Sequence, residues 1–221
     1  MKHIVKILMT EFVTHDVKRF VVERPDGYAF APGQATEVSI NKQGLEKEKR
    51  PLTFTGLDED RVLEFIVKGY FDHDGVTAKL HGLAPGDELI VRSVWGTINY
   101  KGPGVFIAGG AGITPFVAIL RRLRADGKLR GHGLIFANKA RRDVILHEEL
   151  LDMLGERLIL IFDGEDVPGR PRGRITREFL ADHVADFGQN FYVCGPPPMT
   201  DAVMASLKDL GARADALVFE Q

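Results

Sequence analysis

Residues 105–127 read VFIAGGAGITPFVAILRRLRADG, and how this stretch is parsed decides the fold. An apolar run, VFIA, breaks into glycines; a proline follows at position 115, and apolar residues then recur at helical spacing. A strand, a bare turn and a helix whose first turn tolerates the missing N–H of Pro115 account for that order. Ligands of open parallel sheets bind beyond the carboxyl ends of the strands, and the free N–H groups of a helix start attract phosphate. GGAGITP (109–115) is therefore placed to hold a pyrophosphate. A tight turn without a ligand is the plainer reading, and the spacing departs from G-x-G-x-x-G because Pro115 stands where the third glycine would fall.

Downstream the alternation continues through GLIFAN, VILHEELLDML, RLILIF, ITREFLADHV, NFYVCG, PMTDAVMASLKDLG and ALVF. Buried apolar strands alternating with amphipathic helices read as βα units, and so as a parallel sheet. Upstream the character differs. HIVKILMT, VKRFVVER, ATEVSI, RPLTFTG, RVLEFIVKGY and DELIVRS are short strand-like runs between turn signals such as PDG, APG and APGD. Many short strands broken by Gly and Pro predict an antiparallel barrel or sandwich. The change falls near KGPG (101–104), which predicts two domains, residues 1–101 and 102–221. FAPGQ (30–34) reads as a structural turn.

Composition agrees. The chain of 221 residues can supply two cores of roughly 100 residues each. Its 44% apolar and 27% charged residues are those of a globular protein, and a net charge of −2 argues against nucleic acid as a partner. Lys6 interrupts an amino-terminal run too short for a signal peptide, and no stretch approaches the roughly 18 apolar residues of a membrane span. A lone cysteine, Cys194, excludes an intrachain disulfide and a cysteine-ligated cluster. A cytoplasmic protein, monomeric or weakly dimeric, is the expectation. The seven histidines show no metal-ligand spacing, so no metal is expected; His147 and His183 read as solvated helix positions.

A second turn accompanies the first. In YVCGPPPMTDAV (192–203) a strand ends in Cys-Gly-Pro-Pro-Pro, and a helix opens around Met199. Its glycine and prolines fix a rigid turn at the same edge of the sheet as GGAG, which makes a cleft for an extended ligand.

RPLT (50–53), GVTAKL (75–80), GGAGITP and CGPPPM (194–199), in this order, resemble the ferredoxin–NADP reductase superfamily, most closely its short bacterial flavodoxin and ferredoxin reductase-like members. The resemblance covers essentially the whole chain. It implies a flavin-binding antiparallel β-barrel followed by an α/β nicotinamide-nucleotide domain. Hydride would pass from nicotinamide to flavin, and electrons onward to a flavodoxin or ferredoxin.

The family pattern Arg-x-Tyr-Ser/Thr maps onto Arg50, Pro51, Leu52 and Thr53. The resemblance gives Arg50 the flavin phosphate and Thr53 a hydrogen bond near flavin N5, chemistry suited to a guanidinium fork and a hydroxyl. Leu52 stands where an aromatic is expected, which weakens stacking on the flavin; Phe54, on the same strand face, reads as core. By itself Arg50 reads as the solvated end of the charged run EKEKR. GVTAKL resembles a second flavin-phosphate site, with Gly75, Val76 and Thr77 and the N–H groups of 76–78 at a helix start; capping by Thr77 or Asp74 is the plainer reading. Two phosphate contacts favour FAD over FMN. By the same resemblance Gly110, Gly112, Ile113, Thr114, Pro115, Gly195, Pro196 and Met199 hold the coenzyme, with Cys194 beside nicotinamide C4. The cofactors carry the chemistry and the protein positions them, so no general base is nominated.

FANKARRDV (136–144) bears on coenzyme choice: Lys139, Arg141 and Arg142 suit a 2′-phosphate, and Asp143 comes too late to be the ribose ligand. NADPH is favoured over NADH, with a solvated basic loop as the alternative. Arg170, Arg172 and Arg174 can add to the field. The family's carboxyl-terminal aromatic over the flavin corresponds to Phe219, with Glu220 near the reacting groups. Arg121, Arg122, Arg124 and Lys128 are candidates for a basic face toward an acidic acceptor, or a solvated helix face. Two other functions stay open: a reductase of free flavin or ferric complexes, kept open by Leu52, and a non-catalytic electron-transfer subunit.

Overall fold

A computed structural model describes residues 2–72, 75–96 and 98–219. Packing divides the chain into two compact units, Met1–Thr97 with Thr114–Arg122 and Ile98–Ile113 with Leu123–Gln221.

The first unit is built on β1 (His3–Thr14), β2 (Val17–Glu23), β3 (Gln34–Ile40), β4 (Arg50–Thr53), β5 (Val62–Lys68), a short helix α1 (Val76–His81) and β6 (Glu88–Gly96). The strands form one antiparallel sheet in the order β4-β3-β6-β1-β2-β5. Register shifts in β1 between Ile7 and Met9 and between Phe12 and Thr14 bend the sheet as bulges do. It curls like a barrel without closing, because the edge strands β4 and β5 share no ladder. Just past β4, the Thr55 N–H donates to the Glu64 carbonyl at 3.0 Å. Inward positions alternate as a half-buried sheet requires, gathering Phe20, Phe54, Phe65, Val38 and Leu89 into one core. Phe54 is fully buried and stacks on Phe30 at 4.2 Å, which is the core role read from the sequence. FAPGQ is a turn: Gly33 has φ +89°, and the Gln34 N–H donates to the Ala31 carbonyl.

The remaining elements are β7 (Gly104–Gly109), α2 (Thr114–Ala125), β8 (His132–Asn138), α3 (His147–Leu154), β9 (Leu158–Phe162), α4 (Arg177–His183), β10 (Asn190–Cys194), α5 (Pro197–Asp209) and β11 (Leu217–Phe219). Their strands are all parallel, in the order β11-β10-β7-β8-β9. The chain runs outward from β7 through β8 to β9, then returns by α4 to the opposite side of β7. That reversal between β7 and β10 is a topological switch point. One face of the sheet packs Ile107, Ile135, Ile161 and Phe191 against Leu180, Val203 and Leu207.

Candidate functional site

Both glycine-bearing turns leave the sheet at this switch point. Cys194, the last residue of β10, is registered with Ala108 of β7. After Gly109 a 3-10 turn, Gly110–Ile113, leads into α2 at Thr114, with the buried Pro115 second in the helix. Its partner helix α5 opens at Pro197, earlier than the expected start near Met199, because prolines suit the first helical positions.

The turns interlock through missing side chains. A Cβ on Gly109 would lie 2.5 Å from Met199 Sδ and 3.0 Å from Pro196 Cδ. One on Gly195 would lie 2.6 Å from Met199 Cε, and one on Gly112 would overlap the Cys194 carbonyl. These three glycines are bare so that one turn can sit on the other. Gly110 differs: its φ of +52° demands glycine, and a Cβ there would meet nothing. The open backbone of the stretch is thus at Gly110. The Cys194 side chain is 4% exposed and Ile113 fully buried.

The loop after β8 carries Lys139, Arg141 and Arg142, all exposed. Asp143 builds the loop, its Oδ2 accepting from the Ala140 N–H at 2.9 Å. An acid not singled out in the sequence borders it: Glu165 Oε2 accepts from the Arg141 N–H at 2.7 Å. Gly164, beside it, donates to the Lys139 carbonyl, and a Cβ there would lie 2.9 Å from that oxygen. Asn138, closing β8, is 7% exposed with neither amide atom hydrogen-bonded among the described residues. Neither Glu165 nor Asn138 has a sequence signal; each matters through what the fold places around it.

In the first unit β4 is an edge strand, which tolerates Pro51 because its missing N–H leaves no ladder unpaired. Arg50 and Pro51 are exposed, and Arg50 Nη1 donates to the Lys49 carbonyl at 2.9 Å. Leu52 is half-buried against the barrel core, while Thr53 is 8% exposed. The loop before Arg50 is stapled by Arg92, whose Nη2 donates to Ser39 Oγ at 2.8 Å and to the Glu46 carbonyl at 2.9 Å. Lys79 of α1 pairs with Glu48 of the same loop at 3.3 Å, so α1 and the Arg50 strip are tied together. Gly75 precedes α1 with no capping side chain, Val76 joins the core, and Thr77 is half-buried; Thr77 therefore does not cap its own helix. Asp74, the other candidate cap, lies outside the described residues.

This donor set fits a dinucleotide phosphate: an exposed guanidinium on an edge strand tied to a helix start whose N-cap, Gly75, has no side chain to cap it. At the switch point, the open space beside Gly110 fits close approach of a second ligand.

Other expectations change. Arg121, Arg122, Arg124 and Lys128 are not a free basic face: they pair with Glu64 (2.6 Å), Glu59 (2.7 Å), Asp152 (2.7 Å) and Asp126 (3.3 Å). Glu64 is buried. Burial pushes its carboxyl up, but Arg121 and Arg19 outweigh that and hold it below the ordinary carboxylate value. His147, first in α3, is half-buried beside Glu148 rather than solvated; His183 is exposed and stacks on Phe179. His132 is 2% exposed, with Nε2 2.8 Å from the Tyr100 hydroxyl. Arg170, Arg172 and Arg174 are exposed. No cluster of three metal-ligating side chains occurs among the described residues, and no helix there is long and apolar enough to cross a membrane. The Phe219 backbone ends β11 opposite Val193; its side chain and Glu220 lie outside the described residues.

Residues 106–205 match the family described as the oxidoreductase NAD-binding domain. The reductase component of propane 2-monooxygenase from Rhodococcus jostii is 26% identical over 98% of this chain, which spans 62% of that relative's length. Among solved structures, the flavohem-like FAD/NAD binding domain of nitric oxide dioxygenase from Vibrio cholerae superposes with a TM-score of 0.87 at 22% identity, covering 98% of this chain and 97% of that one. A ferredoxin NADP+ reductase from Neisseria gonorrhoeae with bound FAD and NADP gives 0.82 at 20% identity, covering 95% and 92%.

Proposed function

We propose that this chain belongs to the ferredoxin reductase-like superfamily and is a flavin-dependent NAD(P)H oxidoreductase that passes electrons to a flavodoxin- or ferredoxin-type acceptor. The observation that carries the reading is the pair of interlocked glycine turns at the switch point of the parallel sheet. Residues 1–101 would hold FAD and residues 102–221 the coenzyme. When bound, the cofactors would supply the redox chemistry, namely hydride transfer from reduced nicotinamide to flavin followed by release of its proton to solvent and of its two electrons to the acceptor.

The chain's own residues bind and orient. Arg50 and, beyond Gly75, the N–H groups of Val76, Thr77 and Ala78 take flavin phosphates, Pro51 and Leu52 border the ring, and the Thr53 hydroxyl serves its N5 edge. Gly110 admits the coenzyme backbone, while Gly112, Ile113, Thr114 and Pro115 shape the helix start facing its pyrophosphate. Gly195, Pro196 and Met199 form the opposing wall. Cys194 offers a small polarizable contact that excludes water beside nicotinamide. Lys139, Arg141 and Arg142 receive a 2′-phosphate, which favours NADPH.

Titrating the purified protein with NADPH and NADH while following the visible flavin absorbance tests the reading. Bleaching at one flavin per chain, stronger with NADPH, supports it; no response to either coenzyme overturns it. One observation favours a second reading, a reductase of free flavin or ferric complexes: Leu52 packs on the barrel core rather than presenting an aromatic face. A yellow colour retained through gel filtration argues for bound FAD, and a colourless protein with flavin-dependent NADPH oxidation for the second reading.

A further inference from the structure

Glu64 of β5 is 9% exposed, and its carboxylate holds two arginines from different elements. Oε2 accepts from Arg19 Nε of β2 at 2.9 Å; Oε1 accepts from Arg121 Nη1 of α2 at 2.6 Å and from Thr55 Oγ1 at 2.8 Å. Arg121 Nη1 also donates to the Thr55 carbonyl at 2.8 Å. Thr55 lies two residues beyond Thr53 on the Arg50 strip, and Arg121 lies two turns along α2 from Thr114. All these residues belong to the first packing unit.

A buried ion triad is weak evidence of stabilisation, because desolvation offsets much of its attraction and apolar replacements are often neutral or better. What it offers is fixed geometry: the two oxygens and one guanidinium define a distance and an angle that apolar contacts leave loose. We propose that Glu64 is a positioning residue: through Arg121 it fixes the amino end of α2, and with it Thr114 and Pro115, relative to the strip that carries Arg50 and Thr53. This inference rests on the reading that those two places hold the reacting cofactors. Arg19 grips the same carboxylate from within the sheet and touches no part of α2 in this network, so it serves as the matched control.

The test uses the full chain loaded with FAD, comparing Arg121→Met with Arg19→Met. Hydrogen exchange at the backbone amides of Thr114 and residues 116–120 is read together with the rate of flavin reduction at saturating NADPH, the coenzyme dissociation constant and the melting midpoint. Arg121→Met is expected to speed exchange in that half-helix and to slow flavin reduction on the order of tenfold, since small misplacements of reacting groups are costly, with coenzyme affinity little changed. Arg19→Met, at a similar loss of melting midpoint, should do neither. Equal effects of the two variants, or an unchanged exchange and rate in Arg121→Met, would reduce the triad to a structural staple and overturn the proposal. Should Arg121→Met fail to fold, Arg121→Lys, which keeps the charge and loses the fork, is read against the same outcomes. If the native protein oxidises neither coenzyme, the functional reading fails, while the exchange data still decide whether Arg121 holds α2.

Discussion

At the ends of β7 and β10 the protein has removed side chains, whereas along β4 it displays them. Gly112 leaves backbone packed on backbone, and Gly109 and Gly195 leave room for the Met199 side chain, while Arg50 and Pro51 stand exposed on an edge strand beside a half-buried Leu52. The turns are rigid because they are full; the strip is adaptable because its guanidinium is held only by a flexible side chain. Substitutions at the first should therefore damage folding and binding together, and those at the second binding alone.

The largest effect is expected at Gly112. Its Cβ would overlap the Cys194 carbonyl, so Gly112→Ala should cost about 3 kcal/mol in denaturant unfolding, the upper range of overpacking, and abolish coenzyme binding. A melt like that of the native protein would break the contrast from the glycine side. Next comes Arg50→Ala: flavin affinity should fall on the order of tenfold or more, as for a lost charged hydrogen bond, with the unfolding curve unchanged. An equally weakened fold would show that the strip, too, is structural. Gly110→Ala sharpens the comparison within one turn, because only backbone strain opposes it: about 1 kcal/mol, in the range for a left-handed non-glycine residue.

The smallest effect concerns pH and compares two histidines buried among the described residues, His81 of the first unit and His132 of the second. Burial pushes each ring below its ordinary value of 6.5. The folded protein thus holds both neutral while the unfolded chain takes up protons, so stability is lost as pH falls below 6.5 toward the lower folded values. His132→Gln should flatten that slope in the second unit alone, as measured by residue-resolved exchange across the pH range; an unchanged slope would mean His132 does not titrate with unfolding.

Much of this was legible in the chain. Strands of period two and helices of period 3.6 appear where the apolar residues predict them, since burial of one face fixes both periods. VFIAGGAGITP gave away its strand, turn and helix because glycine and proline act on the backbone locally. Local rules could not say which glycine serves a ligand and which serves packing: Gly112 and Gly110 look alike in the sequence, and the Cys194 carbonyl, far along the chain, separates them. The basic residues of α2 misled for the same reason, because Glu59, Glu64 and Asp152 reach them only after folding.

The sequence by itself determined the elements, the parallel and antiparallel halves and the order of the motifs, because these follow from backbone preference and apolar periodicity. Tertiary structure alone decided that β10 returns beside β7, that Glu165 borders the basic loop, and that Glu64 joins β5 to α2. Each depends on groups distant in the chain meeting at a few ångströms, where desolvation and hydrogen-bond geometry, rather than residue type, set what a side chain does.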